Sequence, residues 1–173
     1  MAIYALGGLT PDIHPDAFVH PDATVIGAVT IGPRASIWPA AVLRGDYGRI
    51  EVGAATSIQD GTVLHTTEEW PTLIGDRCVV GHNAHLEGCT VGDDCLIGSG
   101  SIVLNRAVVE PGAAVGAAAL VPEDARIPAG HIAVGVPARA RPAPDGLGKW
   151  IAEAVTLYEN NAARYRTDLR RIG

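Results

Sequence analysis

Aliphatic residues recur every six positions through most of the chain, and that period leaves few folds open. Written in sixes from Ile74, the sequence reads IGDRCV, VGHNAH, LEGCT (one short), VGDDCL, IGSGSI, VLNRAV, VEPGAA and VGAAAL. The leaders are Ile74, Val80, Leu86, Val91, Ile97, Val103, Val109 and Val115, with Val121 opening the next unit. Upstream the register continues through IHPDAF, VHPDAT, VIGAVT, IGPRAS and IWPAAV. After the excursion LRGDYGRIE it resumes with VGAATS, IQDGTV and LH, so the repeat covers Ile13 to about Val136. Each unit offers one inward aliphatic, a small residue at its fifth place, and Gly, Asp, Asn or Pro where the backbone must turn. That is a short strand plus a tight turn. Three such strands close a triangular coil of about eighteen residues, and coils stack at the sheet spacing of ~4.8 Å. The period therefore predicts an all-β solenoid.

Composition agrees with thin, regular layers. Of 173 residues, 47% are hydrophobic but only 5% aromatic, so Val, Ile, Leu and Ala must fill the interior. A net charge of −6 argues against a phosphate-backbone binder, which needs clustered Lys and Arg. The one basic cluster, Arg164 to Arg171, is interrupted by Asp168 and reads as a solvated helix face. No long apolar run suggests a membrane span or signal segment, and a cytoplasmic protein without membrane or nucleic-acid partners is expected. Cys78, Cys89 and Cys95 lack CxxC spacing and read as buried, inert thiols.

Past the repeat the period changes. The Pro-rich stretch ARPAPDG reads as a linker, and Trp150, Ile151, Ala154, Val155, Tyr158, Ala162, Tyr165 and Leu169 then recur at helical spacing. The expected organisation is an N-terminal segment 1–12, a solenoid 13–137, a linker 138–147 and an amphipathic helix 148–171 packed along the solenoid.

The register also places outward side chains. Residues following Leu43, Leu64, Leu86 and Val103 should stack on one face as Arg44, His65, Glu87 and Leu104. A neighbouring face should stack Asp60, His82 and Ser99. His65 and Glu87 thus fall one coil apart, while His82 lies on a different face of its own chain. His14, His20 and His131 lack such company and read as surface or turn residues.

The run RGDYGRIEVGAATSIQDGTVLH, followed by VGHNAHLEGC, resembles the γ-class carbonic anhydrase family of hexapeptide-repeat proteins. The matching positions are Arg44, Asp46, Gln59, Asp60, His65 and His82. The resemblance covers nearly three quarters of the chain and implies a left-handed parallel β-helix assembled as a homotrimer. In that family three histidines hold zinc or ferrous iron across the subunit interface, and metal-bound hydroxide attacks CO2 to give bicarbonate, a lyase reaction. It implies His65 and His82 as ligands and Arg44 with Asp46 as an intersubunit ion pair aligning the interface; within this excursion that reading displaces a cell-adhesion tripeptide. Gln59, near His65, would orient the hydroxide, Asp60 would support His82, and Glu68, with Glu69 beside it, matches an acidic proton shuttle. Tyr158 is also implied near the site.

The third ligand departs from the pattern. Family members usually read LHGC where this chain has LEGC, so Glu87 stands in place of a histidine. Two histidines and one carboxylate form a common catalytic set. Register favours Glu87 as the third ligand, ligand softness favours His85, and both together would give a more saturated site. A carboxylate ligand reduces the ion's net charge and weakens its acidification of water. Two other functions share the fold: an acyl-CoA acyltransferase, against which the uncharged stretch GAAVGAAAL counts, and a catalytically inactive metal-binding or assembly homologue.

Overall fold

The computed structural model describes residues 2–173 as a parallel β-solenoid of about seven turns with one C-terminal helix along its side. The repeat leaders form its interior as three columns, one per face. Val19, Ile37, Ile58, Val80, Ile97, Val115 and Ala133 stack in register along the first. Val25, Leu43, Leu64, Leu86, Val103 and Val121 follow the second, and Ile31, Val52, Ile74, Val91, Val109 and Ile127 the third. All belong to one continuous buried core. Side chains alternate across a strand, so the residues flanking each leader point outward.

The fourth place of each unit is a corner. Arg77, Asn83, Asp94, Arg106 and Ala118 there hold φ between 53° and 62°. Left-handed backbone costs a non-glycine residue roughly 1–2 kcal/mol, which stacking in the solenoid must offset. At two corners the occupant is a forked cation: Arg77 donates to both Asp94 oxygens at 2.7 and 2.9 Å, and Arg106 to those of Asp124 at the same distances. Cys78 and Cys95 fill the fifth place, Cys89 the matching place of the short unit, and all three thiols are buried. Cys78 Sγ donates to the Gly92 carbonyl at 3.0 Å and Cys95 Sγ to that of Glu110 at 3.1 Å.

The excursion LRGDYGRIE lies within a long strand. Val42–Val52 runs unbroken across a corner, paired with Thr24–Ile31 on one side. Gly45 is required there because a Cβ would lie 2.6 Å from the Ala28 carbonyl oxygen. Coiling also begins before Ile13: Ala2–Tyr4 pairs in parallel with Thr24, Val25 and Ile26. At the other end Arg139–Pro142, within the stretch read as a linker, pairs antiparallel with His131–Val134 and covers that edge. Its prolines masked the strand in the sequence, yet proline is tolerated on an edge.

The helix, Leu147–Asp168, lies on the first face. Ile151 and Val155 pack on Ala55 and Val79, while Ala162, Tyr158 and Tyr165 meet Phe18 and Trp38. Trp38 is buried with its indole N–H shared between Ser36 Oγ and Ser57 Oγ at 3.0 and 2.9 Å. His20 joins this aromatic group, 8% exposed, rather than lying on the surface. Trp150 and Leu169, expected in the packed stripe, are 53% and 45% exposed. Among the described residues no helix is long and apolar enough to cross a membrane.

Candidate metal centre

His65 stands between Arg44 and Glu87 in register, as the outward column requires. Leu64 and Leu86 are buried beneath it, so the three polar side chains share the outer side of the second face. His65 Nδ1 lies 3.2 Å from Glu87 Oε1, and its Nε2 lies 3.3 Å from Asp46 Oδ1. Arg44 pairs with Asp46 within the same chain. Burial pushes the Asp46 carboxyl up, but the Arg44 and backbone hydrogen bonds, the Arg44 charge and His65 outweigh it and hold the group below the usual carboxylate range. His85 sits on the same outer side as Glu87, but its strand neighbours are Val63 and Ile102 rather than His65. Its Nε2 lies 3.4 Å from Glu87 Oε2.

His82 is exposed at a corner of the first face, where its Nδ1 meets Asp60 Oδ2 at 2.9 Å. Gln59 lies here rather than beside His65: it is 4% exposed and shares with His82 a groove of about 430 Å³ between the helix and the first face. The leader before Gln59, Ile58, belongs to the first column, so its followers come under the helix. Tyr158 lines the same groove. Burial pushes its hydroxyl up, the Asp60 charge adds to that, and a hydrogen bond with Gln59 partly offsets both. Glu68 and Glu69 are exposed in the loop that leaves His65, which is closed by Thr66 Oγ1 donating to the Trp70 carbonyl at 2.8 Å. Arg106 lies over the Trp70 ring, 4.3 Å from its centroid, pinning the loop from the next coils.

Among the described residues of one chain, no three His, Cys, Asp or Glu side chains gather as a metal ligand set. The donor chemistry nevertheless fits a divalent ion. A neutral imidazole carries one proton. With that proton on Nε2 toward Asp46, the His65 Nδ1 lone pair and Glu87 Oε1 face each other 3.2 Å apart. Two ligands about 2.0–2.1 Å from a tetrahedral zinc are separated by roughly 3.3 Å. His82, with Nδ1 committed to Asp60, presents Nε2 outward. A carboxylate at the second ring nitrogen is the partner that orients a ligating histidine, and Asp46 and Asp60 stand at that position beside His65 and His82.

Known proteins share the six-residue repeat. Residues 71–105 match the family model described as bacterial transferase hexapeptide (six repeats). The chain is 43% identical over 160 residues to mitochondrial gamma carbonic anhydrase 2 of Arabidopsis thaliana, covering 88% of this chain and 58% of that protein. It is 39% identical over 170 residues to the carnitine operon protein CaiE of Salmonella agona, covering 98% of this chain and 86% of the relative. The chain belongs to the γ-class carbonic anhydrase-like family of hexapeptide-repeat proteins. A hexapeptide transferase family protein from Anaplasma phagocytophilum superposes with a TM-score of 0.91 at 36% identity, covering 95% of this chain and 98% of that one. The coil is the left-handed parallel β-helix of these hexapeptide-repeat proteins. Within this γ-class carbonic anhydrase-like family the names span different roles, so the site residues must carry the functional argument.

Proposed function

We propose that the chain is the subunit of a homotrimer that reversibly hydrates CO2, with zinc or ferrous iron held between subunits by His65 and Glu87 of one chain and His82 of the next. The facing of His65 Nδ1 and Glu87 Oε1 carries this reading. Two apolar outer surfaces support the assembly. Around His65 the second face presents Val42, Val63, Ile102, Leu104 and Leu120, all half-buried. Beside His82 the groove presents Leu96, Ile132, Trp150 and Leu157. Two different apolar surfaces, each with part of a ligand set, suit a head-to-tail interface that closes as a ring.

A bound ion would act as a Lewis acid that makes water nucleophilic near neutral pH. The chain's residues do the rest. Asp46 and Asp60 hold the His65 and His82 rings in ligating orientation, and Arg44 fixes Asp46. Gln59, braced by Tyr158, orients an oxygen on the His82 side through its amide. Glu68, exposed on its loop, passes protons to solvent. The groove beside His82 is lined by no Lys or Arg, which disfavours the acyl-CoA reading because the cofactor's phosphates need cationic anchors. In a stopped-flow CO2 hydration assay on zinc- or iron-loaded protein, His82→Ala and Glu87→Ala should each abolish activity while the trimer persists. Full activity in either variant, or none in the loaded wild type, would refute the reading.

A further inference from the structure

The two histidine ligands proposed above each have an orienting partner in their own chain, and Glu87 has a contact of the same kind with no role yet. Its two oxygens face two different histidines: Oε1 faces His65 Nδ1 at 3.2 Å, and Oε2 faces His85 Nε2 at 3.4 Å. An ionised carboxylate only accepts, so the contact to Oε2 requires the His85 proton on Nε2. At 3.4 Å the hydrogen bond is long, and it is local, spanning the outward side chains on either side of Leu86. His85 stands 38% exposed in its side chain, with Val63 and Ile102 as its strand neighbours. The packed aliphatic flanks limit the ring's freedom without burying it.

We propose that His85 is a positioning residue for Glu87: by donating to Oε2 it occupies that oxygen and leaves Oε1 alone to bind the ion. A free carboxylate can bind an ion through one oxygen or both. Held through Oε2, Glu87 donates once, and a fourth position stays open for substrate chemistry. The substitution of glutamate in the LEGC stretch and the histidine two residues before it then work as a pair. This inference rests on the metal reading above, and it treats His85 as a residue that acts through a ligand.

The test uses cobalt(II) in place of zinc, because its visible absorption falls severalfold when coordination rises from four to five. Wild type, His85→Ala, His85→Gln and Glu87→Ala would be loaded with cobalt and titrated against a competing chelator. The expected result is an intense four-coordinate spectrum for wild type and a weakened five-coordinate one for His85→Ala, with affinity altered about tenfold or more. The Gln amide reaches the same place as Nε2, so His85→Gln should restore the wild-type spectrum. An unchanged His85→Ala spectrum and affinity, with wild type binding normally, would overturn the positioning role alone. Loss of all cobalt from His85→Ala and His85→Gln together, with Glu87→Ala retaining it, would make His85 the ligand and also overturn it. A wild type that takes up no cobalt would overturn the metal reading and this inference with it.

Discussion

Glu87 shows how one residue can be fully legible in position and only partly legible in role. The six-residue register places it over Leu86 and level with His65, and the strand pairing has it there. Its contact with His85 depends on rotamers that no spacing reveals. The same holds for Asp46, which the resemblance pairs with Arg44. It bonds Arg44 within the chain and reaches His65 besides. A histidine at position 87 would leave more positive charge on a bound ion than a carboxylate does. Glu87→His is therefore expected to raise the hydration rate and move the midpoint of its pH profile to lower pH, as read by stopped flow; a shift to higher pH would contradict the ligand assignment. Asp46 carries a separate prediction. Its folded-state pKa lies below the ordinary value of about 3.9, so its contribution to stability is present above that value and lost as pH falls through the folded pKa. Urea denaturation should show that the wild type loses its advantage over Asp46→Asn as pH drops from 5 to 3. An advantage constant across that range would show that Asp46 is not held ionised.

At the scale of elements, aliphatic periodicity carried the reading wherever a strand follows the repeat. It failed at both ends and at the long excursion. Ala2–Tyr4 and Arg139–Pro142 are edge strands whose partners lie far along the chain or behind prolines. Val42–Val52 turns a corner where the period breaks, and Thr24–Ile31 pairs with both of its ends across a register shift between Gly27 and Val29. The helix was visible in its spacing, but its anchor was not: Trp38 lies in the solenoid and meets Tyr158 and Tyr165 at ring-centroid distances of 5.7 and 5.1 Å. Removing a buried indole costs about 3–5 kcal/mol, so Trp38→Ala should lower the thermal midpoint and raise hydrogen exchange in the helix above that in the central coils. Equal exchange in helix and coils would show that the anchor lies elsewhere. The small fifth place explains the cysteines. Burial pushes the Cys89 thiol up to about 12, and the native protein should resist iodoacetamide at pH 8 while the urea-unfolded chain reacts at all three thiols. Rapid native alkylation at Cys89 would contradict its placement.

The whole molecule is one stack with a polar centre on its second face and a histidine on the corner of its first. Among the described residues of a single chain nothing joins His82 to His65 and Glu87, and the proposed activity requires that neighbours do so. Head-to-tail closure makes a specific demand on mixed assemblies. Chains carrying His82→Ala and chains carrying His65→Ala should each form trimers without a complete ligand set. Unfolded, mixed and refolded together, they produce trimers in which one interface joins the intact His82 of one variant to the intact His65 of the other. Native mass spectrometry of the mixed, zinc-loaded protein is the most direct test: mixed trimers should carry about one ion each and either parent none. Mixed trimers without metal, or metal retained by a parent, would contradict a site shared between subunits.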